Sequence, residues 1–351
     1  MTSLKKLADY VQMQRRQGLT MLLVLAAVVA YGLFIPSNYL VGVGISVLTF
    51  AALGTAWNII GGYAGQSCWC MASFMSMGAY AGVLSYNYLR LSPWISMFIG
   101  IAAAVLLALI IGNIAFKHRG IYFTLLTSSI SEITRLCLIF FQDFTGGSRG
   151  ATVPFNRRNL GLKYLIFESD ETFYWIMLVV LILCLLASWC IKRSRLGYYL
   201  RALGADQDAA ASLGINIRKS KLLAFIYSAI MASVIGTFYA FYLTYIDPLT
   251  MAATAVSTKM GSMAIVGGVG TIWGPLIGAL VLVPLSEIAN IILGSSGAGM
   301  LLYGLALVLV ITLCPGGIIS LFSKDENRFI ALPLLKKMAK RKEDRYGRTH
   351  S

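Results

Sequence analysis

The sequence predicts an all-α, polytopic membrane protein that crosses the bilayer about ten times. Hydrophobic residues make up 58% of the 351 residues and charged residues only 12%, whereas soluble domains have about 45–50% and about 25%. The apolar residues fall into runs close to the length of about 20 residues that a helix needs to span a bilayer. The basic residues are concentrated in alternate connections between these runs. Such a composition excludes a soluble enzyme, a disordered chain and a DNA-binding domain.

Ten apolar runs are candidates for membrane-spanning helices. They lie at about 19–35, 40–60, 66–89, 93–116, 121–141, 173–191, 221–245, 251–267, 270–293 and 299–322. The first run is longer than the apolar part of a signal peptide and lacks a small-residue cleavage site, so we expect it to be a retained anchor. The run at 251–267 contains Lys259, and the sequence leaves open whether this run spans the bilayer or is re-entrant.

The charge distribution predicts the orientation. The chain has 29 Lys and Arg against 14 Asp and Glu, a formal net charge of +15. Segment 1–18, the 117–119 connection, the 192–221 loop and the tail 324–351 carry 22 of the bases and 7 of the acids, whereas the alternate loops carry five of each. The positive-inside rule therefore places both termini and the loop in the cytoplasm. The expected domains are a cytoplasmic segment 1–18, a transmembrane domain 19–323 and a basic cytoplasmic tail 324–351, with an outer loop at about 142–172 and an inner loop at about 192–220.

The inner loop Ser194–Asn216 differs from the rest of the chain. It is rich in Ala and Leu with charges interspersed, which predicts one or two short amphipathic helices. Gly204 and Gly214 are expected to end these helices. A solvated connector on the lipid headgroups would explain the segment, and so would a docking element for a cytoplasmic partner. Its length and regular helical pattern favour the docking element.

Two glycine-rich segments interrupt the apolar runs. They contain Gly61, Gly62 and Gly65 in the first half of the chain and Gly267, Gly268, Gly270 and Gly274 in the second. Such breaks persist in a bilayer where the backbone is buried in protein or lines a water-filled cavity, and glycines also let helices approach closely. Both roles stay open. The recurrence of the pattern predicts an internal repeat of undetermined orientation.

Four charged residues lie within the predicted spans. Glu132 and Arg135 are three residues apart and share a helix face. Charges inside a membrane are costly, so this pair is a candidate functional site or, equally, a structural ion pair that locks helices together. Lys259 and Glu287 are the other two, and a contact between them is predicted from charge balance alone.

No catalytic motif is present in the sequence. It contains no Gly-x-x-x-x-Gly-Lys-[Ser/Thr] motif for ATP phosphates, and His118 and His350 lack triad or metal-ligand spacing. Cys68 and Cys70 have no neighbouring His or acidic residue, which favours buried free thiols over a metal site. The sequence therefore predicts neither an enzyme nor a cofactor or metal site, and any ATP hydrolysis would need another polypeptide.

The whole chain resembles the LivM-type permease subunits of branched-chain amino acid ABC importers. The inner loop carries the family's pattern at Ser194, Arg195, Gly197, Leu200, Arg201, Ala202, Ala210, Leu213, Gly214 and Ile215. In such importers this loop is the coupling helix that sits in a cleft of the ATPase subunit. The resemblance therefore implies coupling roles for Arg195, Gly197, Leu200, Arg201, Ala202, Asp206, Ala210, Leu213 and Gly214.

Four further stretches support the resemblance, which covers about residues 40–320. They are Asn58–Gln66 followed by Gly78–Tyr80, Arg119–Phe123 with Glu132 and Arg135, Thr145–Gly147 with Gly150 and Pro154, and Gly267–Ala279. Candidate pathway or structural residues are Gly61, Gly62, Gly65, Gln66, Glu132, Arg135, Gly267, Gly268, Gly270, Gly274 and Pro275. The family usually has Leu-Ser-Leu-Gly-His after Gly-Gln, whereas this chain reads Ser-Cys-Trp-Cys-Met at 67–71. This departure predicts a changed substrate preference or gating if the stretch lines the pathway.

The resemblance implies a permease that carries leucine, isoleucine or valine across the bacterial cytoplasmic membrane. The implied partners are a second homologous permease, two cytoplasmic ATP-binding subunits and an extracytoplasmic solute-binding protein, with no nucleic acid. Three alternatives stay open. The cargo could be urea or a short amide; the chain could be an ion-coupled secondary transporter that uses its intramembrane charges; or it could be a membrane scaffold that transports nothing.

Overall fold

The computed structural model describes residues 24–33, 37–154, 161, 163–165, 167, 169–293, 298–314 and 316–322. The predicted cytoplasmic segment 1–18 and the basic tail 324–351 lie outside the described residues. The first apolar run, 19–35, is described over 24–33, and the outer loop is described in part.

Apolar helices form most of the described chain. In chain order they are α1 (Val24–Leu33), α2 (Asn38–Asn58), α3 (Met71–Leu89), α4 (Pro93–Ala115), α5 (Ile121–Phe140), α6 (Gln142–Thr145), α7 (Asp170–Arg193), α8 (Arg195–Ala205), α9 (Gln207–Ser212), α10 (Ile217–Leu243), α11 (Pro248–Met251), α12 (Thr254–Gly268), α13 (Gly274–Leu293), α14 (Ala298–Leu313) and α15 (Ile319–Phe322). A π-helical turn, Ile59–Tyr63, continues α2. Two short strands, β1 (Ala151–Thr152) and β2 (Tyr245–Ile246), pair in antiparallel fashion.

Seven helical stretches of the described residues are long and apolar enough to cross a membrane. They are Asn38–Tyr63, Pro93–Ala115, Ile121–Phe140, Asp170–Arg193, Ile217–Leu243, Pro248–Gly268 and Gly274–Ile291. The prediction of an all-α, multi-pass membrane protein is confirmed. The count of ten crossings and the orientation of the termini stay predictions.

The predicted run at 251–267 forms an interrupted element. Helix α11 ends at Met251, and α12 begins at Thr254. The Asp247 carboxylate accepts hydrogen bonds from the backbone N–H groups of Leu249 and Thr250, at 2.7 and 2.9 Å, and so caps α11. The break at 252–253 lies between two helical pieces that together have the length of one span.

Local sequence signals position the long helices. Pro93 occupies the first turn of α4, where its missing N–H costs no hydrogen bond. Helix α7 has two acidic residues in its first turn and two basic residues in its last, which matches the helix dipole. Asn216 caps α10 because its Oδ1 accepts a hydrogen bond of 3.0 Å from the Lys219 N–H.

Small residues let the central helices α3, α4 and α10 pack closely. A side chain at Gly78 would overlap the Ser233 carbonyl, and one at Gly236 would overlap the Met75 carbonyl. The Thr237 hydroxyl donates a 3.0 Å hydrogen bond to the Gly78 carbonyl across the same contact. Close backbone approach at glycines is typical of helix association in membranes, where dispersion and polar contacts replace the hydrophobic effect.

Candidate functional site

The inner loop folds into the two helices α8 and α9, which confirms the prediction of one or two short helices. The Asp206 carboxylate starts α9 because it accepts hydrogen bonds from the N–H groups of Asp208 (2.8 Å) and Ala209 (3.0 Å). The N–H groups of Ala209 and Asp208 also lower the pKa of the Asp206 carboxyl, since they stabilise its charged form.

The two glycines expected to end these helices behave differently. Gly214 has a φ of +82° and follows α9, and the Ile215 N–H bonds the Ala210 carbonyl at 3.1 Å, so this helix stop is confirmed. The prediction for Gly204 is wrong. Helix α8 continues to Ala205, and Asp206 leaves the helix with an extended backbone because its side chain caps the next one.

Gly204 instead packs against the segment that follows α2. A Cβ atom at Gly204 would lie 2.9 Å from the Tyr63 carbonyl oxygen, and one at Gly65 would lie 3.4 Å from the Gly204 Cα. Gly65 has a φ of +63°, which other residues adopt rarely. The backbone of the last turn of α8 therefore contacts the backbone of the segment that contains Gly65 and Gln66.

The predicted coupling residues fall into two groups. Gly197, Leu200 and Ala210 are buried against the body of the protein, whereas Ala202 is half-buried. The remaining members face outward: Arg195, Arg201, Asp206, Leu213 and Gly214. Leu213 is 82% exposed, and Tyr198 and Tyr199 beside this group are also exposed. The loop thus has an anchored face and an open face that carries apolar and charged side chains.

A buried lysine joins the loop to the segment after α2. Lys221, near the start of α10, is 1% exposed. Its Nζ donates to Gln66 Oε1 at 3.2 Å and to Gln207 Oε1 at 3.0 Å. Sequence reasoning counted Lys221 only among the loop charges. Its spacing from the small residues Ala224 and Ser228 on the same helix face was the available signal.

An exposed ion pair makes a second link to α9. Arg119, in the connection between α4 and α5, lies 2.7 Å from the Asp208 carboxylate. Both side chains are largely exposed, so this pair contributes little to stability, about 0–1 kcal/mol. It nevertheless brings the second basic connection of the chain next to the loop.

The two glycine-rich segments meet at Asn58. Its Nδ2 donates to the Thr271 carbonyl at 2.7 Å, and its Oδ1 accepts from the Gly270 N–H at 2.9 Å. A Cβ atom at Gly62 would lie 2.7 Å from the Gly270 nitrogen. Asn58 was part of the recognised pattern, but sequence reasoning did not place it in the site.

The candidate glycines differ in exposure. Gly65 is exposed, and Gly62 and Gly270 are half-buried. The other members of the group are buried: Gly61, Gly267, Gly268, Gly274 and Pro275. A side chain at Gly267 would overlap the Gly274 carbonyl, which fits close packing at this point.

The segment from Gly65 to Cys70 has no regular secondary structure, and its residues alternate between exposed and buried. Gly65 and Ser67 are exposed and Trp69 is half-buried, whereas Gln66, Cys68 and Cys70 are buried. The two thiols lie 3.5 Å apart. Among the described residues, no group of three or more His, Cys, Asp or Glu could hold a metal ion.

Trp69 sits where this segment departs from the resembled family. Its ring centroid is 6.0 Å from that of Trp57, and its backbone N–H donates to Thr127 Oγ1 of α5 at 3.2 Å. The Trp57 indole N–H donates to the Cys68 carbonyl at 2.7 Å. The segment therefore contacts α5 through the Trp69 backbone.

Helix α5 carries a polar stripe and is lightly packed in the single chain. Thr127, Ser131 and Thr134 lie on its buried side, and Ser131 donates to the Ala252 carbonyl at 3.3 Å. Glu132 and Arg135 form an ion pair with each other at the edge of this stripe. Because both belong to α5, the pair does not lock two helices together.

The predicted contact between Lys259 and Glu287 does not form an ion pair within 4 Å, although the Glu287 charge acts on Lys259. Among the described residues, the ion pairs within 4 Å are Arg119–Asp208 and Arg135–Glu132. The Lys259 ammonium instead lies over the Phe50 ring, 4.2 Å from its centroid. The aromatic face supplies a favourable site for the cation, which charge balance did not anticipate.

Comparison with known proteins identifies the family. The model of a family described as "Branched-chain amino acid transport system / permease component" matches residues 35–311. The permease LivM of Escherichia coli K12 is 26% identical over 327 residues, which cover 87% of this chain and 75% of that protein. The permease LivH of Salmonella typhimurium is 25% identical over 288 residues, and the match covers 77% of this chain and 91% of that protein.

A relative with another named cargo also matches. The autoinducer 2 import permease LsrC of Yersinia pestis is 26% identical over 198 residues, 54% of this chain and 55% of that protein. The apolar helices and the permease relatives indicate a multi-pass protein of the bacterial inner membrane. Because the family model covers most of the sequence, the chain belongs to the permease components of branched-chain amino acid transport systems.

Proposed function

We propose that this chain is a transmembrane subunit of an ABC importer that forms part of the pathway for leucine, isoleucine and valine. The observation that carries the proposal is the inner loop, whose buried face is joined to the segment after α2 while its other face is open. The proposal includes ten crossings with both termini and the 192–220 loop in the cytoplasm. Separate ATP-binding subunits supply the energy.

The open face of the loop is the docking surface for an ATPase subunit. Exposed apolar and charged side chains, among them Tyr198, Arg201 and Leu213, are what a partner cleft buries. The anchored residues Leu200 and Ala210 transmit movement of the partner to the membrane helices. This assigns coupling to Arg195, Gly197, Leu200, Arg201, Ala202, Asp206, Ala210, Leu213 and Gly214.

Helix α5 and the neighbouring segment Gly65–Cys70 line the pathway. A charged side chain at the centre of a membrane helix costs about 2.5–3.5 kcal/mol on insertion scales, so Glu132 and Arg135 face protein or water rather than lipid. A second homologous permease covers this face and completes the pathway. Asn58, Pro275 and the glycines of the two glycine-rich segments hold the backbone that surrounds it: Gly61, Gly62, Gly267, Gly268, Gly270 and Gly274.

The cargo assignment follows from the named relatives. Both LivM and LivH are named for branched-chain amino acid transport, and the chain covers three quarters or more of each. A solute-binding protein delivers the amino acid at the outer loop of about 142–172. The LsrC match makes autoinducer 2 the second candidate cargo.

Uptake in proteoliposomes tests this function. The chain is reconstituted with its permease partner, ATPase subunits and binding protein, and uptake of labelled leucine is measured with and without ATP. Uptake that needs ATP and that excess isoleucine or valine suppresses supports the proposal. Competition by urea, a short amide or autoinducer 2 instead would overturn the cargo, and ATP-independent uptake that collapses with the proton gradient would overturn the ABC mechanism.

One substitution tests the docking surface. Leu213→Asp places a charge in the docking surface and is expected to weaken binding of the ATPase subunits by about tenfold or more, as at interface hot spots. Leu249→Asp, at a leucine that is also exposed, is the matched control and should bind the ATPase normally. Equal ATPase binding by both variants would remove the docking assignment.

A further inference from the structure

Lys221 is a buried cation whose described partners carry no negative charge. Its two hydrogen-bond acceptors are the side-chain amide oxygens of Gln66 and Gln207. Neither ion pair found within 4 Å among the described residues includes Lys221. Arg119, whose charge also acts on Lys221, is positive. Burial of a charge is costly unless its hydrogen bonds are satisfied, so the ammonium depends on both amides.

The two amides belong to different elements. Gln207 is the first residue of α9, on the loop that we assign to ATPase coupling. Gln66 lies in the segment after α2, between the exposed residues Gly65 and Ser67. Lys221 itself belongs to α10, which packs against α3 and α4 in the centre of the fold. One ammonium group therefore joins the coupling loop to the segment that lines the proposed pathway.

The backbone contact of Gly204 with Gly65 supports the same connection. It brings the end of α8 against the residue that precedes Gln66. Separation of α9 from this segment would leave the Lys221 ammonium without one of its two acceptors in a buried place. Loss of this hydrogen bond costs more free energy than loss of a hydrogen bond between neutral groups, because the donor is charged.

We propose that Lys221 is the positioning residue that transmits movement of α9 to the segment Gly65–Trp69. This inference rests on the proposed function of the loop and adds a specific route to it. When the ATPase subunits shift the loop, Gln207 moves the ammonium, and the ammonium moves Gln66. The exposed side of the segment then changes its position relative to the polar stripe of α5.

The ratio of ATP hydrolysed to leucine transported tests this route in the reconstituted importer. Lys221→Met keeps a long unbranched side chain, one atom shorter, and removes its charge. The ratio is expected to rise at least about tenfold, the factor for loss of one charge-assisted hydrogen bond, while ATP hydrolysis continues. Lys219→Met, the same change at an exposed lysine two residues earlier, should keep the wild-type ratio.

A double-substitution cycle separates loss of the link between α9 and the segment Gly65–Trp69 from a general loss of protein stability. Gln207→Leu alone should raise the ratio, and adding it to Lys221→Met should produce little further change, because both remove the same link. Gln207→Leu also gives the answer if Lys221→Met fails to assemble. Wild-type importer that takes up no leucine with ATP would overturn the proposed function. Wild-type uptake together with an unchanged ratio in the Lys221 and Gln207 variants would overturn only the transmission route.

Discussion

At the scale of single residues, Asp206 is a titratable group that stabilises the coupling loop. Its carboxylate accepts hydrogen bonds from the N–H groups of the second and third residues of α9, and these N–H groups lower its pKa. Because the pKa is lower in the folded protein, the stabilisation is complete above the pKa of the unfolded chain and is lost as the pH falls through the folded-state pKa. The cap that Asp206 provides for α9 is therefore sensitive to acid.

We predict that acidification exposes the start of α9 to hydrogen exchange. Amide protection at Asp208 and Ala209 should stay constant at neutral pH and fall once the Asp206 carboxyl is protonated. Asp206→Asn keeps an oxygen acceptor without the titration, so its protection should not depend on the carboxyl. Hydrogen exchange followed by mass spectrometry measures this protection. An equal loss of protection on acidification in the wild type and in Asp206→Asn would contradict the role of the Asp206 carboxylate as the cap of α9.

Trp69 stands where the resembled family usually has a smaller leucine. It is half-buried, packs against Trp57 and Gly261, and borders the proposed pathway. Trp69→Leu should therefore widen the open side of the segment Gly65–Cys70. We expect the relative uptake of leucine and valine to change by about tenfold, the lower end of the range by which apolar pockets discriminate one methylene group.

A matched substitution shows whether this effect is specific. Trp189 lies on α7 and is also partly exposed, so Trp189→Leu removes the same volume away from the segment. Competition between leucine and valine should be unchanged in this control. A Trp69→Leu variant with wild-type selectivity would show that this aromatic residue does not contact the cargo.

At the scale of elements, close helix packing makes strict demands that propensity alone does not reveal. Gly78 of α3 faces the backbone of α10, and an added methyl group would overlap the Ser233 carbonyl. We predict that Gly78→Ala destabilises the protein by about 1–3 kcal/mol, the usual cost of overpacking. Thermal unfolding in detergent should show a lower midpoint.

Gly304 provides the opposite case for the same change. No described atom outside its own helix lies within 4 Å of a Cβ built there. Gly304→Ala should therefore leave the unfolding midpoint unchanged or raise it, since alanine favours a helix interior by about 0.5–1 kcal/mol. Similar destabilisation by both substitutions would refute close packing as the cause.

The element scale also shows how far sequence reasoning reached in the loop. Amphipathic periodicity predicted its helices. Gly214 was correctly expected to end one of them, because a helix often ends at a residue with a left-handed backbone, which glycine adopts easily. Gly204 was misread because its reason for being glycine is a neighbour about 140 positions away, at Gly65. Lys221 was missed for the same reason, since Gln66 reaches it only through the tertiary fold.

At the scale of the whole molecule, hydropathy identifies helices but not their arrangement. Apolar runs predicted the long spans well, because about 20 apolar residues leave few alternatives in a membrane protein. The meeting of Gly62 with Gly270 through Asn58 joins segments more than 200 residues apart. No local pattern encodes such a contact, although the recurrence of glycines in both halves marked the two participants.

The single chain leaves a face of α5 uncovered, and two native cysteines can report what covers it. Cys137 is exposed on α5 and Cys190 is exposed on α7, whereas Cys68, Cys70 and Cys184 are buried. If the second permease packs on α5, assembly should protect Cys137 from a membrane-permeant maleimide and leave Cys190 reactive. The two thiols thus form a test and its control within one molecule.

We predict that peptide mass spectrometry after brief labelling will show Cys137 modified in the isolated chain and protected severalfold in the assembled importer. Cys137→Ser should assemble normally, because the substitution is nearly isosteric and lies on an exposed position. Its labelling pattern then identifies the signal that belongs to Cys190. Equal reactivity of Cys137 before and after assembly would place the second permease elsewhere. Another protein surface or water would then have to cover the polar stripe of α5 and the Glu132–Arg135 pair, since lipid cannot form hydrogen bonds with these side chains.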